Sequence, residues 1–188
     1  MIIQYLYIKQ YLDMYKYNHS FIVSRFQPFH NGHKSLIDKM LNESKYGTIV
    51  LGLIQESRTD KNPFNIEERI AMVKNVYQDN KRLNVFGVRD IENDSEWYSY
   101  VLKNISEQSS EFGKPEAYYC GGKEEASWFD KGDLKIEILD RFKQNSNLKI
   151  SGTEIRNMIK NHDEQWKNFI PKQNINFIED FFKKTSIQ

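Results

Sequence analysis

"FIVSRFQPFHNGHKSL", residues 21–36, opens as an unbroken apolar run and closes as the first turn of a helical face. Phe21, Ile22 and Val23 follow one another without polar interruption, which suits a short strand buried on both sides better than an amphipathic helix. Beyond Lys34, the residues Leu36, Ile37, Met40 and Leu41 recur at i, i+1, i+4 and i+5, the spacing of one helical face over 34–44. Pro28 and Gly32 punctuate the hand-over between them. The stretch is therefore one strand–loop–helix unit.

The unit recurs downstream. Apolar runs predict further strands at 48–54, 83–88, 116–121 and 136–140. A helix over 65–77 takes Asn65 as its N-cap, Glu67 and Glu68 in its first turn, and Ile66, Ile70, Val73 and Val76 as its core stripe. Helices also fit 97–105 and 123–129, and more follow toward the C-terminus. Strands spaced by helices imply an α/β fold: a Rossmann-like, doubly wound parallel sheet with right-handed crossovers, in a single domain with C-terminal helices. Ligands in such sheets sit beyond the carboxyl ends of the strands, where residues 24–33 fall.

The bulk properties narrow the function. At 188 residues the chain suffices for one full hydrophobic core, which places a domain over 21–188. Lys+Arg 27 against Asp+Glu 26 leaves a net charge of +1, so no global basic field exists to hold nucleic acid. Any anion must be met locally. The single cysteine, Cys120, has no intrachain partner for a disulfide, and the N-terminus lacks the layout of a secretory signal, so a cytoplasmic location is expected. Residues 1–20 form an N-terminal extension rich in Tyr, Ile and Leu. Lys9, Asp13 and Lys16 interrupt it well short of a membrane span. It reads equally as a packing helix, as a disordered tail, or as sequence upstream of a natural start at Met14.

His30 and His33, at i and i+3, also occur in many chains as plain exposed residues at a helix start. Half of a structural zinc site is disfavoured, because the chain holds only 4 histidines and 1 cysteine and offers no second pair at ligand spacing. Their surroundings favour phosphate. Gly32 permits close backbone approach, the helix start presents unpaired N–H groups, and Arg25 adds a cation at the strand end. Two familiar phosphate motifs are ruled out. "CGGKEEAS" (120–127) superficially follows a Walker loop, but Ala117 stands where the leading glycine belongs and Glu124 where Ser or Thr belongs. No G-x-G-x-x-G follows the first strand.

"RFQPFHNGH" resembles the H-x-G-H signature of the nucleotidyltransferase superfamily, and "ISGTEIR" (150–156) resembles its second signature, at the start of a C-terminal helix. Between them, "QESRTDKNPFNIEER" (55–69), "DIENDSEW" (90–97) and "WKNFIP" (166–171) are similar to segments of the archaeal-type nicotinamide-nucleotide adenylyltransferases. The resemblance spans 21–182. In this chain Ser24 stands where glycine is usual before the arginine, and Asp94 where asparagine is common.

The resemblance implies adenylyl transfer from ATP to nicotinamide mononucleotide, giving NAD and pyrophosphate, with Mg2+ arriving with ATP. His30, His33, Arg25 and Arg156 would be the catalytic residues. Phe26, Gln27, Gly32, Ser151, Gly152 and Thr153 would bind ATP, and Lys61, Asn93, Asp94 and Trp97 the mononucleotide. Alone, each supporting residue has a plainer reading: "SGTE" is a capping box in any helix, a tryptophan at an amphipathic helix start is usually core, and a loop lysine is usually solvated. The Tyr-rich extension together with the resemblance favours a homo-oligomer, while the near-neutral charge and the interrupted N-terminal segment lead us to expect neither a nucleic-acid nor a membrane partner. Two other functions stay open: transfer to a different phosphate monoester, and a non-catalytic ATP or NAD sensor.

Overall fold

A computed structural model of the chain describes residues 14–130, 132–139 and 150–185, apart from the side chains of Asp94 and Thr185. Five strands, β1 (Tyr17–Ser24), β2 (Ser44–Leu51), β3 (Leu83–Gly87), β4 (Ala117–Cys120) and β5 (Lys135–Ile138), form one sheet in the order β3-β2-β1-β4-β5. Every pairing is parallel. The chain steps outward from β1 to β3, then returns to place β4 on the other side of β1. A crevice therefore opens beyond the carboxyl ends of β1 and β4, where the loops that follow them diverge.

Helices cover both faces. They are α1 (Asn31–Glu43), α2 (Ile66–Tyr77), α3 (Asp94–Gln108), α4 (Lys123–Ser127), α5 (Gly152–Lys160) and α6 (Lys172–Thr185). Strand alternation sorts the core into two clusters. Ile22, Ile49, Leu51 and Tyr119 face α1, α2, α5 and α6 through Ile37, Met40, Met72, Ile155 and Ile178. Phe21, Val23, Val50 and Tyr118 face α3 and α4 through Val101, Ile105 and Ala126. Each fully buried large apolar side chain contributes about 1.5–3 kcal/mol relative to exposure, which is why the two central strands read as continuous apolar runs. Among the described residues no helix is long and apolar enough to cross a membrane.

The boundaries differ from expectation in instructive ways. β1 begins at Tyr17, ahead of the expected Phe21, because Tyr17, His19 and Ser20 are buried and pair in register with Ser44, Tyr46 and Gly47 of β2. Of the rest of the N-terminal extension, residues 1–13 lie outside the described residues. β2 ends at Leu51, short of the expected 54, because Leu53 takes φ 57° and turns the chain out of the sheet. α1 starts at Asn31, ahead of Lys34, because His30 caps it. α2 keeps the expected start, with Asn65 as N-cap in a reciprocal pair with Glu68.

Candidate active site

The loop after β1 delivers two imidazoles through an unusual capping box. His30 is the N-cap of α1 and its Nδ1 accepts from the Gly32 N–H at 3.1 Å, while His33 accepts on Nδ1 from the His30 N–H at 3.3 Å. A ring nitrogen that accepts carries no proton. In the neutral ring the proton of each histidine is therefore on Nε2, which makes that nitrogen a donor. The rings lie 3.7 Å apart, stacked, and Phe26 closes on His33 at 4.4 Å. Phe26 itself is buried at φ 49°, so it backs the imidazole with its ring.

Two residues hold this loop to the rest of the molecule. The Gln27 amide donates to the Phe64 carbonyl at 2.8 Å and accepts from the Phe64 N–H at 3.0 Å, fastening the first loop to 55–65. Arg69 is fully buried, and its guanidinium donates to the main-chain oxygens of Gly52 (2.7 Å), Arg25 (3.1 Å), Asn65 (3.3 Å) and Leu53 (3.4 Å). One cation thus fixes the ends of β1 and β2 together. Burial pulls its pKa down, with Asp90 and Glu67 opposing from a distance.

The second signature is anchored to the first. Ser151 caps α5: its Oγ accepts from the Glu154 N–H at 3.2 Å and donates to Glu154 Oε2 at 2.7 Å, the capping box expected of "SGTE". Arg156 donates from Nη1 to the Gln27 oxygen at 2.6 Å and from Nη2 to Thr153 Oγ1 at 3.1 Å. Its pKa is lowered, first by burial and then by the charge of Arg25. Gly152 sits against the same loop, where a Cβ would fall 2.7 Å from the Gln27 oxygen.

These elements enclose a cleft of about 750 Å³. Of the expected residues, Arg25, Phe26, Gln27, His30, His33, Lys61, Trp97, Ser151, Gly152, Thr153 and Arg156 line it. Gly32 lies beneath, lining a recess of about 30 Å³ with Ser24, His33 and Glu125. Asn93 is outside the wall; it caps α3, accepting from Ser95 N–H at 3.0 Å and Ser95 Oγ at 2.6 Å. The side chain of Asp94 lies outside the described residues.

The cleft also has walls that the sequence reading missed. Asp90 stands beyond the end of β3, its Oδ1 accepting from the Leu53 N–H at 2.8 Å. Glu125 and Ser127 come from the segment set aside for failing the Walker pattern, and Trp128 directly follows it. The available signal was its position: it follows the strand next to β1, at the point where the chain reverses direction across the sheet.

Chemically, the cleft gathers Arg25, Arg156 and Lys61, two helix N-termini and imidazole donors into one basin. Like charges in a partly dry site repel until an anion joins them, and helix starts add their own positive ends. The arrangement suits a chain of phosphates. Among the described residues no cluster of three or more His, Cys, Asp or Glu stands at metal-holding spacing.

Residues 21–158 match the family described as cytidylyltransferase-like. A nicotinamide-nucleotide adenylyltransferase of Methanococcus aeolicus is 34% identical over 160 residues, 85% of this chain and 87% of that one. Among solved structures, a bifunctional NMN adenylyltransferase/ADP ribose pyrophosphatase from Francisella tularensis superposes with a TM-score of 0.71 at 23% identity, covering 88% of this chain and 49% of that one. The same protein complexed with AMP and a manganese ion gives 0.66. This chain spans about half the length of that bifunctional one, and the likeness concerns the fold.

Proposed function

The chain belongs to the cytidylyltransferase-like family, alongside the nicotinamide-nucleotide adenylyltransferases, and from that membership we infer that it transfers the adenylyl group of ATP to nicotinamide mononucleotide, releasing NAD and pyrophosphate. The observation that carries this reading is the convergence of Arg25 and Arg156 on one cleft beside the starts of α1 and α5; burial first, and the Arg25 charge second, lower the pKa of Arg156. Two guanidinium groups held in this way, beside two helix starts, are a receptor for a polyphosphate.

The reaction needs no general base. An oxygen of the mononucleotide phosphate, already anionic, attacks the α-phosphorus of ATP in line; the bond from that phosphorus to the bridging oxygen breaks, and pyrophosphate leaves with the electron pair. Catalysis is then alignment plus neutralisation of spreading charge. His30 and His33 donate from Nε2 to phosphoryl oxygens, and the tautomer set by the capping box keeps those donors in place without a proton changing hands. Arg25 and Arg156 take the β- and γ-phosphates, with Gly152 and Thr153 at the start of α5. Magnesium arriving with ATP would add charge neutralisation at the phosphates, beside that supplied by Arg25, Arg156 and Lys61. Trp97 stacks on the nicotinamide ring and Lys61 meets the mononucleotide phosphate.

The decisive experiment is pyrophosphate release from Mg-ATP with nicotinamide mononucleotide, read together with NAD formation. FMN, phosphopantetheine and glycerol phosphate serve as competing acceptors. Release with one of those and not with the mononucleotide would replace the acceptor; ATP binding without any release would make the protein a sensor.

A further inference from the structure

Ser24 ends β1 and lines the cleft directly before Arg25. Its Oγ lies 3.2 Å from His33 Nε2. Because His33 Nδ1 accepts from the His30 N–H, the ring proton is on Nε2 and points at Ser24. The serine oxygen is therefore the acceptor of that bond, and its own O–H proton must be directed elsewhere. Among the described residues the hydroxyl has no second partner.

We propose that the Ser24 hydroxyl is a further catalytic donor: the His30 N–H donates to His33, the His33 Nε2–H is shared between the serine oxygen at 3.2 Å and the incoming phosphate, and the Ser24 O–H donates to a non-bridging oxygen of the phosphoryl group being transferred. The proposal rests on the adenylyl-transfer reading. Accepting from an imidazole N–H polarises a hydroxyl and strengthens its own donation. A purely structural role for the bond is poorly motivated by the surroundings: His33 is already gripped by the His30 ring at 3.7 Å, by the Phe26 ring at 4.4 Å and by the His30 N–H. The imidazole does not need the serine to hold its orientation. The hydroxyl moves no proton during the reaction; it adds one donor where negative charge builds.

The opposite role is equally concrete. If Ser24 instead occupied the Nε2–H that phosphate requires, removing it would speed the reaction.

The test is steady-state kinetics of NAD formation by the full chain carrying Ser24→Ala, Ser24→Gly and Ser24→Thr. Loss of one charge-stabilising donor is expected to lower kcat at least tenfold in the Ala and Gly variants, with KM for ATP and for the mononucleotide changing less than threefold and with Thr restoring part of the rate. The Ala effect should persist in a His33→Ala background. Unchanged or raised kcat in the Ala and Gly variants would overturn the proposal, and so would disappearance of the serine effect in the His33→Ala background, which would mean that Ser24 acts only through the ring. An inactive wild-type protein would instead count against the adenylyl-transfer reading itself, so the two failures are distinguishable.

Discussion

Arg156 donates from Nη1 to the main-chain oxygen of Gln27 at 2.6 Å, joining the helix of the second signature to the loop of the first. The bond reaches across the cleft, and it explains why α5 begins on glycine. A Cβ at position 152 would meet the Gln27 oxygen at 2.7 Å and Arg156 Nη1 at 3.3 Å. That oxygen belongs to backbone and cannot rotate away. Gly152→Ala is therefore expected to push α5 off the loop, costing about 1–3 kcal/mol of stability and lowering kcat/KM for ATP at least tenfold. Thermal unfolding alongside ATP-dependent kinetics checks both effects. Wild-type KM for ATP in this variant would mean that the contact does not shape the site.

His33→Ala should leave the fold intact and lower turnover on the order of 10²-fold, the size typical of one lost charge-stabilising donor. The ring packs against Phe26 and His30 at the cleft edge, with the main core lying below it. Far-ultraviolet circular dichroism and turnover, measured on the same sample, separate loss of chemistry from loss of structure.

Arg69→Met should destabilise the protein by about 3 kcal/mol or more, since it strips buried main-chain oxygens of their donor. The largest local effect is expected at Gly52 and Arg25, bound at 2.7 and 3.1 Å. Lys in its place keeps the charge, but its compact head cannot span the same fork of acceptors. The expected order of denaturant midpoints is wild type, then Arg69→Lys, then Arg69→Met.

Arg69 also marks a limit of reading from sequence. The alternation of apolar runs and helical stripes carries the layer order, because each strand buried on both faces must announce itself as uninterrupted apolar residues. Main-chain partners announce nothing: a buried arginine paired only with carbonyls looks like any surface charge in "NIEER". The same holds for Leu53, whose left-handed φ ends β2 although leucine gives no hint of it. Asn93 shows the reverse, a polar residue near a tryptophan whose Oδ1 is engaged in capping a helix. His30 and His33 could be put at the strand-to-helix hand-over from their spacing, and Arg156 was picked out by the resemblance of "ISGTEIR"; that all three line one cleft depends on the long-range bond from Arg156 to Gln27. Glu125 and Trp128 were not readable, since their place in the cleft depends on β4 returning beside β1.

Acid should weaken the fold through His19. This imidazole, on β1, is buried, with Nδ1 2.7 Å from the Gly113 oxygen and Nε2 2.9 Å from Thr48 Oγ1. Burial pulls its pKa below the ordinary 6.5, the Gly113 carbonyl and Glu111 and Glu116 opposing. Between the depressed folded value and 6.5, the unfolded chain binds the extra proton and the folded chain does not. Stability is therefore fully present above 6.5 and is lost as pH falls below it. Urea unfolding at pH 7.5 and at successive steps down to 5 should show the midpoint dropping. Its slope should flatten in His19→Gln, and an unchanged slope there would assign the acid sensitivity to other groups.

Trp97 offers the sharpest test of the proposed division between the two substrates. It lines the cleft from the first turn of α3, with Tyr100 packed against it at 5.9 Å, so one side is supported by protein and the other faces the basin. Aromatic stacking on a base contributes about 1–3 kcal/mol, and each 1.4 kcal/mol is about tenfold in affinity. Trp97→Ala is expected to raise KM for nicotinamide mononucleotide at least tenfold while leaving KM for ATP within twofold. Trp97→Phe should retain most of the affinity. Trp128 is 44% exposed and lines the same cleft from the opposite strand connection. If the ring rests there instead, the pattern moves wholesale: Trp128→Ala raises the mononucleotide KM and Trp97→Ala does not. Measuring both variants with both substrates decides which face of the cleft receives the nicotinamide, because ATP, placed by the proposal at Arg25 and Arg156, should be indifferent to either change.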